Sequence, residues 1–152
     1  KPGERRCKLL AVLPRRTVLS RQAAGFRRAE EQVLAANLDT VFIVGDEASL
    51  FEGAARLRPR IVIADLSLTP GDGLGFVRRL RAAAPGLKLL LLTVHDEFAV
   101  AKSVMAAGAD GVVLKRAIAS DLLPGVDRLL AGERYLSPAL HELSTQQRRE
   151  AL

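Results

Sequence analysis

The stretch Ile61-Val62-Ile63-Ala64-Asp65 decides the fold, because a short continuous apolar run that ends on a carboxylate is typical of a strand buried on both faces. Four similar runs occur elsewhere in the chain, each bounded by turn residues. The predicted strands lie near Lys8–Leu13, Val41–Val44, Arg60–Asp65, Leu87–Thr93 and Gly111–Leu114. Amphipathic stretches separate them. This alternation predicts an α/β fold, a doubly wound five-stranded parallel sheet with helices on both faces.

The stretches between the strands repeat apolar residues at helical spacing. The predicted helices run roughly over Arg16–Asn37, Ala48–Leu57, Leu74–Ala84, Glu97–Ala107 and Ser120–Ala131. The pair Pro124-Gly125 weakens the start of the last one. Further on, Ser137-Pro138 has the pattern of an N-cap followed by a first-turn proline, so we predict a loosely attached C-terminal helix over Pro138–Leu152.

Length and composition limit the class of protein. The chain has 152 residues, 49% of them hydrophobic, which fits one compact domain with a sizeable core. Its longest apolar stretch is far shorter than a bilayer span, and the first residues lack the apolar core of a signal peptide. The single cysteine, Cys7, excludes an internal disulfide and suits a reducing compartment. We therefore expect a cytoplasmic protein with no membrane contact.

The formal net charge of +6 comes from arginines that are scattered along the chain, which favours solvated helix faces over a nucleic-acid tract. The chain has no Trp, one Tyr and five Phe, too few for a platform on which single-stranded bases stack. The two histidines, His95 and His141, have no second ligand at metal spacing. Composition therefore points away from direct nucleic-acid binding by these residues.

Three polar residues close predicted strands: Asp65, Thr93 and Lys115. In a doubly wound sheet the carboxyl ends of the strands face one crevice, so these side chains can converge there. A carboxylate beside an ammonium can accept a phosphoryl group, with the lysine and the threonine hydroxyl bound to phosphate oxygens. Taken singly, each residue has a simpler explanation. Asp65 could cap a turn, Thr93 could hydrogen-bond to the backbone, and Lys115 could be a surface charge.

Several motifs resemble those of a response regulator receiver domain of two-component signalling: Asp65–Gly73, Leu92–Asp96, Ala107–Gly111 and Leu114-Lys115. The resemblance implies the strand order 2-1-3-4-5 of a flavodoxin-like sheet. Residues 131–138 are similar to the linker of the NarL/LuxR-type branch, in which a DNA-binding helix-turn-helix domain follows the receiver. We therefore expect a receiver domain over residues 7–136. Residues 137–152 would form the linker and the start of an output domain that is cut before its recognition helix.

By this resemblance Asp65 is the phosphoacceptor, Thr93 the switch hydroxyl and Lys115 the pocket lysine. The chain departs from the family where two acidic residues should follow the first strand and bind Mg²⁺ with the acceptor, because Leu13 and Pro14 stand there. Mg²⁺ requires near-octahedral oxygen ligation, so we predict no useful Mg²⁺ affinity and no cofactor. A second departure is Val112, at a position where the family commonly has an aromatic switch residue.

Two replacements for the missing acidic pair stay open. A displaced metal site could use carboxylates from neighbouring loops: Asp46, Glu47, Asp72 or Asp96. Alternatively, Arg15 or Arg16 could reach over Asp65 and supply the positive charge of the ion. Both arginines fit equally well as solvent-facing residues at the start of the first helix.

Three functions are compatible with these features. The first is a degenerate receiver that acts as a protein-interaction and dimerisation module of a transcription regulator. The second is a phosphorylation-competent receiver with a rebuilt metal site, and the third is a small-molecule or anion sensor that uses the same crevice. A free-standing enzyme is not expected, because no separate nucleophile–base pair is present. The implied partners are a sensor histidine kinase or another protein and a second copy of the chain, with DNA reached only through the missing output domain.

Overall fold

The computed structural model describes residues 9–12, 17–18, 41–44, 47–66, 73–94 and 97–151. The strands within these ranges are β1 (Leu9–Val12), β2 (Thr17–Val18), β3 (Val41–Val44), β4 (Ile61–Asp65), β5 (Lys88–Thr93), β6 (Gly111–Leu114) and β7 (Tyr135–Leu136). The α-helices are α1 (Glu47–Leu57), α2 (Leu74–Ala83), α3 (Phe98–Ala107), α4 (Ile118–Leu130) and α5 (Pro138–Glu150). A 3₁₀ helix, Lys115–Ala117, joins β6 to α4.

The strands form one sheet in the order β2-β3-β1-β4-β5-β6-β7. Neighbouring strands from β4 to β7 run parallel, and α2, α3 and α4 are the crossovers between them. The five predicted strands occupy this sheet in the spatial order 2-1-3-4-5. The predicted α/β class and its strand order are therefore confirmed.

The first strand differs from the prediction, because β1 runs antiparallel to both β3 and β4. It is also antiparallel to β2, which follows after residues 13–16. So short a connection joins antiparallel strands, whereas a parallel pair needs a crossover of a dozen or more residues. The predicted helix over residues 16–37 is wrong at Thr17 and Val18, whose β-branched side chains favour a strand. The rest of that predicted helix lies outside the described residues.

The next four predicted helices are confirmed, with ends that differ by at most two residues. The residue before α2 is Gly73, with φ 79°, and α3 ends at Gly108, with φ 129°. Glycine adopts these left-handed conformations without the steric cost that a side chain would add. Helix α4 begins earlier than predicted and continues through Pro124, because tertiary packing of its apolar face outweighs the hydrogen bond that proline cannot donate.

The core lies on both faces of the sheet, as the fully buried strand β4 requires. Alternate residues of β4 point to opposite faces, so Val62 and Ala64 belong to one apolar cluster and Ile61 and Ile63 to another. The first cluster also contains residues of α1, α2 and α3, whereas the second is covered by α4. The carboxyl edge of the sheet is thus supported by packed helices on both sides.

Helix α5 is attached more firmly than the sequence suggested. Its start at Pro138 agrees with the predicted cap and first-turn proline, but Leu140 in its first turn is 0% exposed and belongs to the first core cluster. The helix packs against α3. The expectation of loose attachment is therefore wrong for the first turn, because an apolar side chain there is buried in the domain core.

In the part of the chain that the structure describes, no helix combines the length and the apolar character that a membrane span requires.

Candidate functional site

The register of the parallel strands brings the three predicted site residues to one edge of the sheet. Asp65 of β4 pairs with Leu92 of β5, and the next residue of β5, Thr93, pairs with Leu114 of β6. Lys115 follows directly after β6 at the start of the 3₁₀ helix. Sequence reasoning placed these residues at strand ends, and the register shows that the ends are level.

Asp65 and Lys115 form a buried ion pair, in which Lys115 Nζ contacts Asp65 Oδ2. The lysine side chain is 9% exposed and the aspartate side chain 0% exposed, while Thr93 is also buried. Two charges removed from water in this way interact strongly, and each depends on the other for compensation of its desolvation cost. The pair therefore ties the residue after β6 to the last residue of β4.

This arrangement has a definite chemical capability. A carboxylate oxygen of Asp65 can act as a nucleophile toward phosphorus, which would give an acyl phosphate when the leaving group departs. The ammonium of Lys115 stands where it would form a charge-assisted hydrogen bond with a phosphate oxygen. The Thr93 hydroxyl lies on the adjacent strand end at the same edge of the sheet. Transfer also requires compensation of the charge on the remaining phosphate oxygens, which metal ions commonly provide.

The predicted charge replacements, Arg15 and Arg16, lie outside the described residues, as do Leu13 and Pro14. Among the described residues, Leu9 at the start of β1 pairs with Ala64, and β1 then runs away from the Asp65 edge. The assignment of Arg15 and Arg16 to the pocket stays a prediction.

The alternative metal ligands are mostly beyond the described ranges too, since Asp46, Asp72 and Asp96 fall in their gaps. Glu47, the first residue of α1, forms an ion pair with Arg79 of α2. Across residues 9–12, 17–18, 41–44, 47–66, 73–94 and 97–151, no group of three His, Cys, Asp or Glu side chains is suitably placed to hold a metal ion. Glu47 is therefore the one alternative ligand within the described residues, and it is paired with Arg79.

Sequence reasoning missed a buried polar cluster next to the lysine. Ser137, which is 0% exposed, donates from its hydroxyl to Asp121 Oδ2 over 2.8 Å and accepts at Oγ from the Leu114 N–H over 3.1 Å. The Ser120 hydroxyl lies 3.0 Å from Asp121 Oδ1. One signal was available in the sequence, since Asp121 stands among the apolar residues of an amphipathic helix and shares their buried face.

Tyr135 packs beside this cluster, in a notch of α4 that exists because residue 125 is a glycine. A Cβ at Gly125 would lie 3.0 Å from Cδ1 of the Tyr135 ring. Burial raises the pKa of the Tyr135 phenol above its ordinary value of 10.0, and the negative charge of Asp121 raises it further, whereas the positive charge of Arg128 lowers it. Gly125, part of the pair that was expected to weaken the start of the helix, thus leaves the space that the Tyr135 ring occupies.

The structure presents a buried aspartate and a lysine at the carboxyl ends of parallel strands of an α/β sheet, which is the arrangement expected of a receiver domain. The sequence profile of the response regulator receiver domain matches residues 24–127, more than half of the chain. The chain therefore belongs to the response regulator receiver domain family.

Individual relatives agree with this membership. The nitrate/nitrite response regulator protein homolog of Haemophilus influenzae is 33% identical over 128 residues, which cover 82% of this chain and 61% of that protein. A LuxR-family two-component response regulator from Aurantimonas sp. SI85-9A1 has a similar fold, with a TM-score of 0.69, 23% identity and coverage of 79% of this chain and 87% of the other. A structure of two RcsB dimers bound to two parallel DNAs gives a TM-score of 0.62 at 23% identity, covering 76% and 59%. The chain spans about half the length of the curated relatives that it matches.

The buried ion pair predicts the stability of a lysine variant. Lys115→Met should lower the free energy of unfolding by about 3–5 kcal/mol, because it leaves the Asp65 carboxylate buried without this cation. Urea denaturation followed by circular dichroism measures the change. Arg56→Gln is the matched control, since it breaks the exposed Arg56–Glu52 pair and should cost less than about 1 kcal/mol. Equal losses in the two variants would contradict the assignment of Lys115.

Tyr135 is the only tyrosine of the chain, so ultraviolet absorbance of the phenolate reports its ionisation alone. We expect its pKa to lie above 10.0, to fall in Asp121→Asn because a negative charge is removed, and to rise in Arg128→Gln because a positive one is removed. Since the folded-state pKa is raised, the stability contributed by this group is complete below the unfolded pKa and is lost as the pH rises through the folded value. A pKa that moves in the same direction in both variants would contradict the placement of Tyr135.

Proposed function

We propose that this chain is an atypical receiver module of a NarL/LuxR-type transcription regulator that signals through protein contacts without Mg²⁺-dependent phosphorylation of Asp65. The observation that carries the proposal is the sequence on both sides of β1. In the sequence, Cys7-Lys8 directly precede β1 and Leu13-Pro14 directly follow it, and neither pair contains a carboxylate. The proposal therefore does not depend on the direction of β1.

The electrostatic consequence concerns the transferred phosphoryl group. Its oxygens carry charge that a metal ion usually neutralises during transfer, and Mg²⁺ is usually bound through one or two carboxylates with waters. In this domain the Asp65 carboxylate is buried and already compensated by Lys115. The Lys115 ammonium alone neutralises less of the negative charge on the phosphate oxygens than a metal ion and an ammonium together. We therefore expect phosphoryl transfer to Asp65 to be slow.

The test is incubation of the chain with acetyl phosphate, with and without Mg²⁺, followed by intact mass measurement. We expect no gain of a phosphoryl group under conditions that phosphorylate an ordinary receiver, because the charge of the transferring group is not neutralised. Asp65→Asn is the control for the site of any modification. A ready mass gain that requires Mg²⁺ and disappears in Asp65→Asn would overturn the proposal.

That result would instead establish the second candidate, a phosphorylation-competent receiver with a rebuilt metal site. The specific observation in its favour is the intact edge, with Asp65 and Lys115 in contact and Thr93 on the adjacent strand end. The metal ligands would then come from the loops that carry Asp46, Asp72 and Asp96. Substitution of each by asparagine would identify which of them is required for the mass gain.

We further propose that the functional unit is a cytoplasmic homodimer, without enzymatic activity of its own, that also contacts a sensor histidine kinase or another regulatory protein. In this proposal residues 7–136 form the receiver and residues 137–152 the linker and the start of an output domain that would contact DNA. The similarity to RcsB, whose dimers bind DNA, supports this arrangement. Helix α3 also supports it, because its exposed face consists largely of small side chains that allow close approach: Ala99, Ser103 and Ala106.

Light scattering over a range of concentrations measures the dimer. We expect the weight-average mass to rise with concentration, and Ala106→Glu to lower it because two like charges would then face each other across the interface. Ala55→Glu, an equally exposed substitution on α1, is the matched control and should leave the mass unchanged. A strict monomer at all concentrations would contradict the dimer proposal.

A further inference from the structure

The segment that follows α4 is built into the receiver through four residues, which we call the linker anchor: Tyr135, Leu136, Ser137 and Leu140. Tyr135 and Leu136 form β7, which pairs in parallel with Gly111 and Val112 of β6. Ser137 continues this pairing, since its N–H donates to the Val112 carbonyl over 3.0 Å. Leu140 then enters the core. The anchor thus joins the edge of the sheet to the first turn of α5.

Within the linker anchor, Ser137 makes the hydrogen bonds that connect different elements of the fold. A serine that precedes a helix usually offers its hydroxyl oxygen to an amide of its own first turn. Here that oxygen accepts from the N–H of Leu114, a strand residue, over 3.1 Å, while the hydroxyl hydrogen goes to Asp121 of α4. The hydroxyl therefore connects three elements, β6, α4 and the start of α5. A fully buried and fully used hydroxyl gives a fixed geometry rather than a sliding contact.

The anchor lies one peptide unit from the pocket. Leu114, which donates to Ser137, is followed by Lys115, whose ammonium contacts Asp65. The orientation of the Lys115 side chain and the orientation of the Leu114 N–H both depend on the backbone at the end of β6. This shared backbone is the physical link between the two contacts.

We propose that Ser137 and Asp121 form a latch that couples the Asp65–Lys115 pair to the docking of α5. In the latched state Lys115 is held by Asp65, the Leu114 amide is held by Ser137, and Leu140 is buried. When Lys115 loses Asp65, the end of β6 shifts, the Leu114–Ser137 hydrogen bond weakens and α5 leaves the domain. Because coupling between two sites is reciprocal, breaking the latch also loosens Lys115.

The latch needs no particular chemical event at Asp65. Phosphorylation, a bound anion or a protein partner that takes up the Lys115 charge would each act on it in the same way. The inference therefore holds whether or not the proposed function is correct. What it assigns is the route by which the pocket controls the docking of α5.

Hydrogen exchange measured by mass spectrometry on the full chain tests the forward direction. Asp65→Asn and Ser137→Ala should each raise the exchange rates of the amides in α5 by about tenfold, the effect of one lost buried hydrogen bond. Arg56→Gln is the control, because it breaks only the exposed ion pair with Glu52 on α1, a helix that contributes no residue to the latch. It should leave α5 exchange unchanged.

Chemical acetylation tests the reverse direction. Ser137→Ala should increase the acetylation rate of the buried Lys115 several-fold relative to the exposed Lys102 on α3, although Ser137 does not contact the lysine side chain. Asp121→Asn alters the carboxylate that accepts from Ser137 with little change in size. If Ser137→Ala does not fold, the acetylation rate of Lys115 is measured in Asp121→Asn instead. Two outcomes would refute the latch. In the first, Ser137→Ala, or Asp121→Asn in its place, raises the exchange of the α5 amides but leaves the acetylation rate of Lys115 unchanged. In the second, Asp65→Asn leaves the exchange of the α5 amides unchanged.

Discussion

The buried contact between Asp65 and Lys115 is the constraint on which the rest of the pocket edge depends. Neither charge is stable in a low-dielectric interior alone, so the fold must deliver both to one point from separate strands. The parallel register of β4, β5 and β6 does this by making their carboxyl ends level. Apolar clusters on both faces of the sheet then hold that register against slippage.

The edge strand β6 depends on the segment that follows α4. A strand edge with unpaired amides and carbonyls attracts other chains, and β7 covers it with a short parallel partner. This pairing is possible because residue 111 is a glycine, since a Cβ there would lie 2.7 Å from Leu90 Cδ1 and 3.1 Å from the Tyr135 carbonyl oxygen. The segment that follows α4 therefore completes the sheet of the domain.

The sequence predicted features that depend on local pattern. Asp65, Thr93 and Lys115 were found because each follows an apolar run, and parallel strands bring such ends together. The direction of β1 was not predicted, because its apolar run has the same pattern in either direction and a helix was assumed to follow it. The latch was missed for a related reason. Ser137 and Asp121 are 16 residues apart, and only the packing of β7 against β6 shows that they meet.

The position of the anchor limits how a receiver of this kind can transmit a signal. Helix α5 packs on α3, and β7 lies on the edge of β6, so the surface between these elements is occupied by the chain itself. A partner that needs this surface must compete with an intramolecular segment whose effective concentration is high. Competition of this kind is sensitive to small changes in anchor strength, since 1.4 kcal/mol changes an equilibrium tenfold. In the proposed latch, loss of one Ser137 hydrogen bond would shift the balance between docked and released α5 by about this factor.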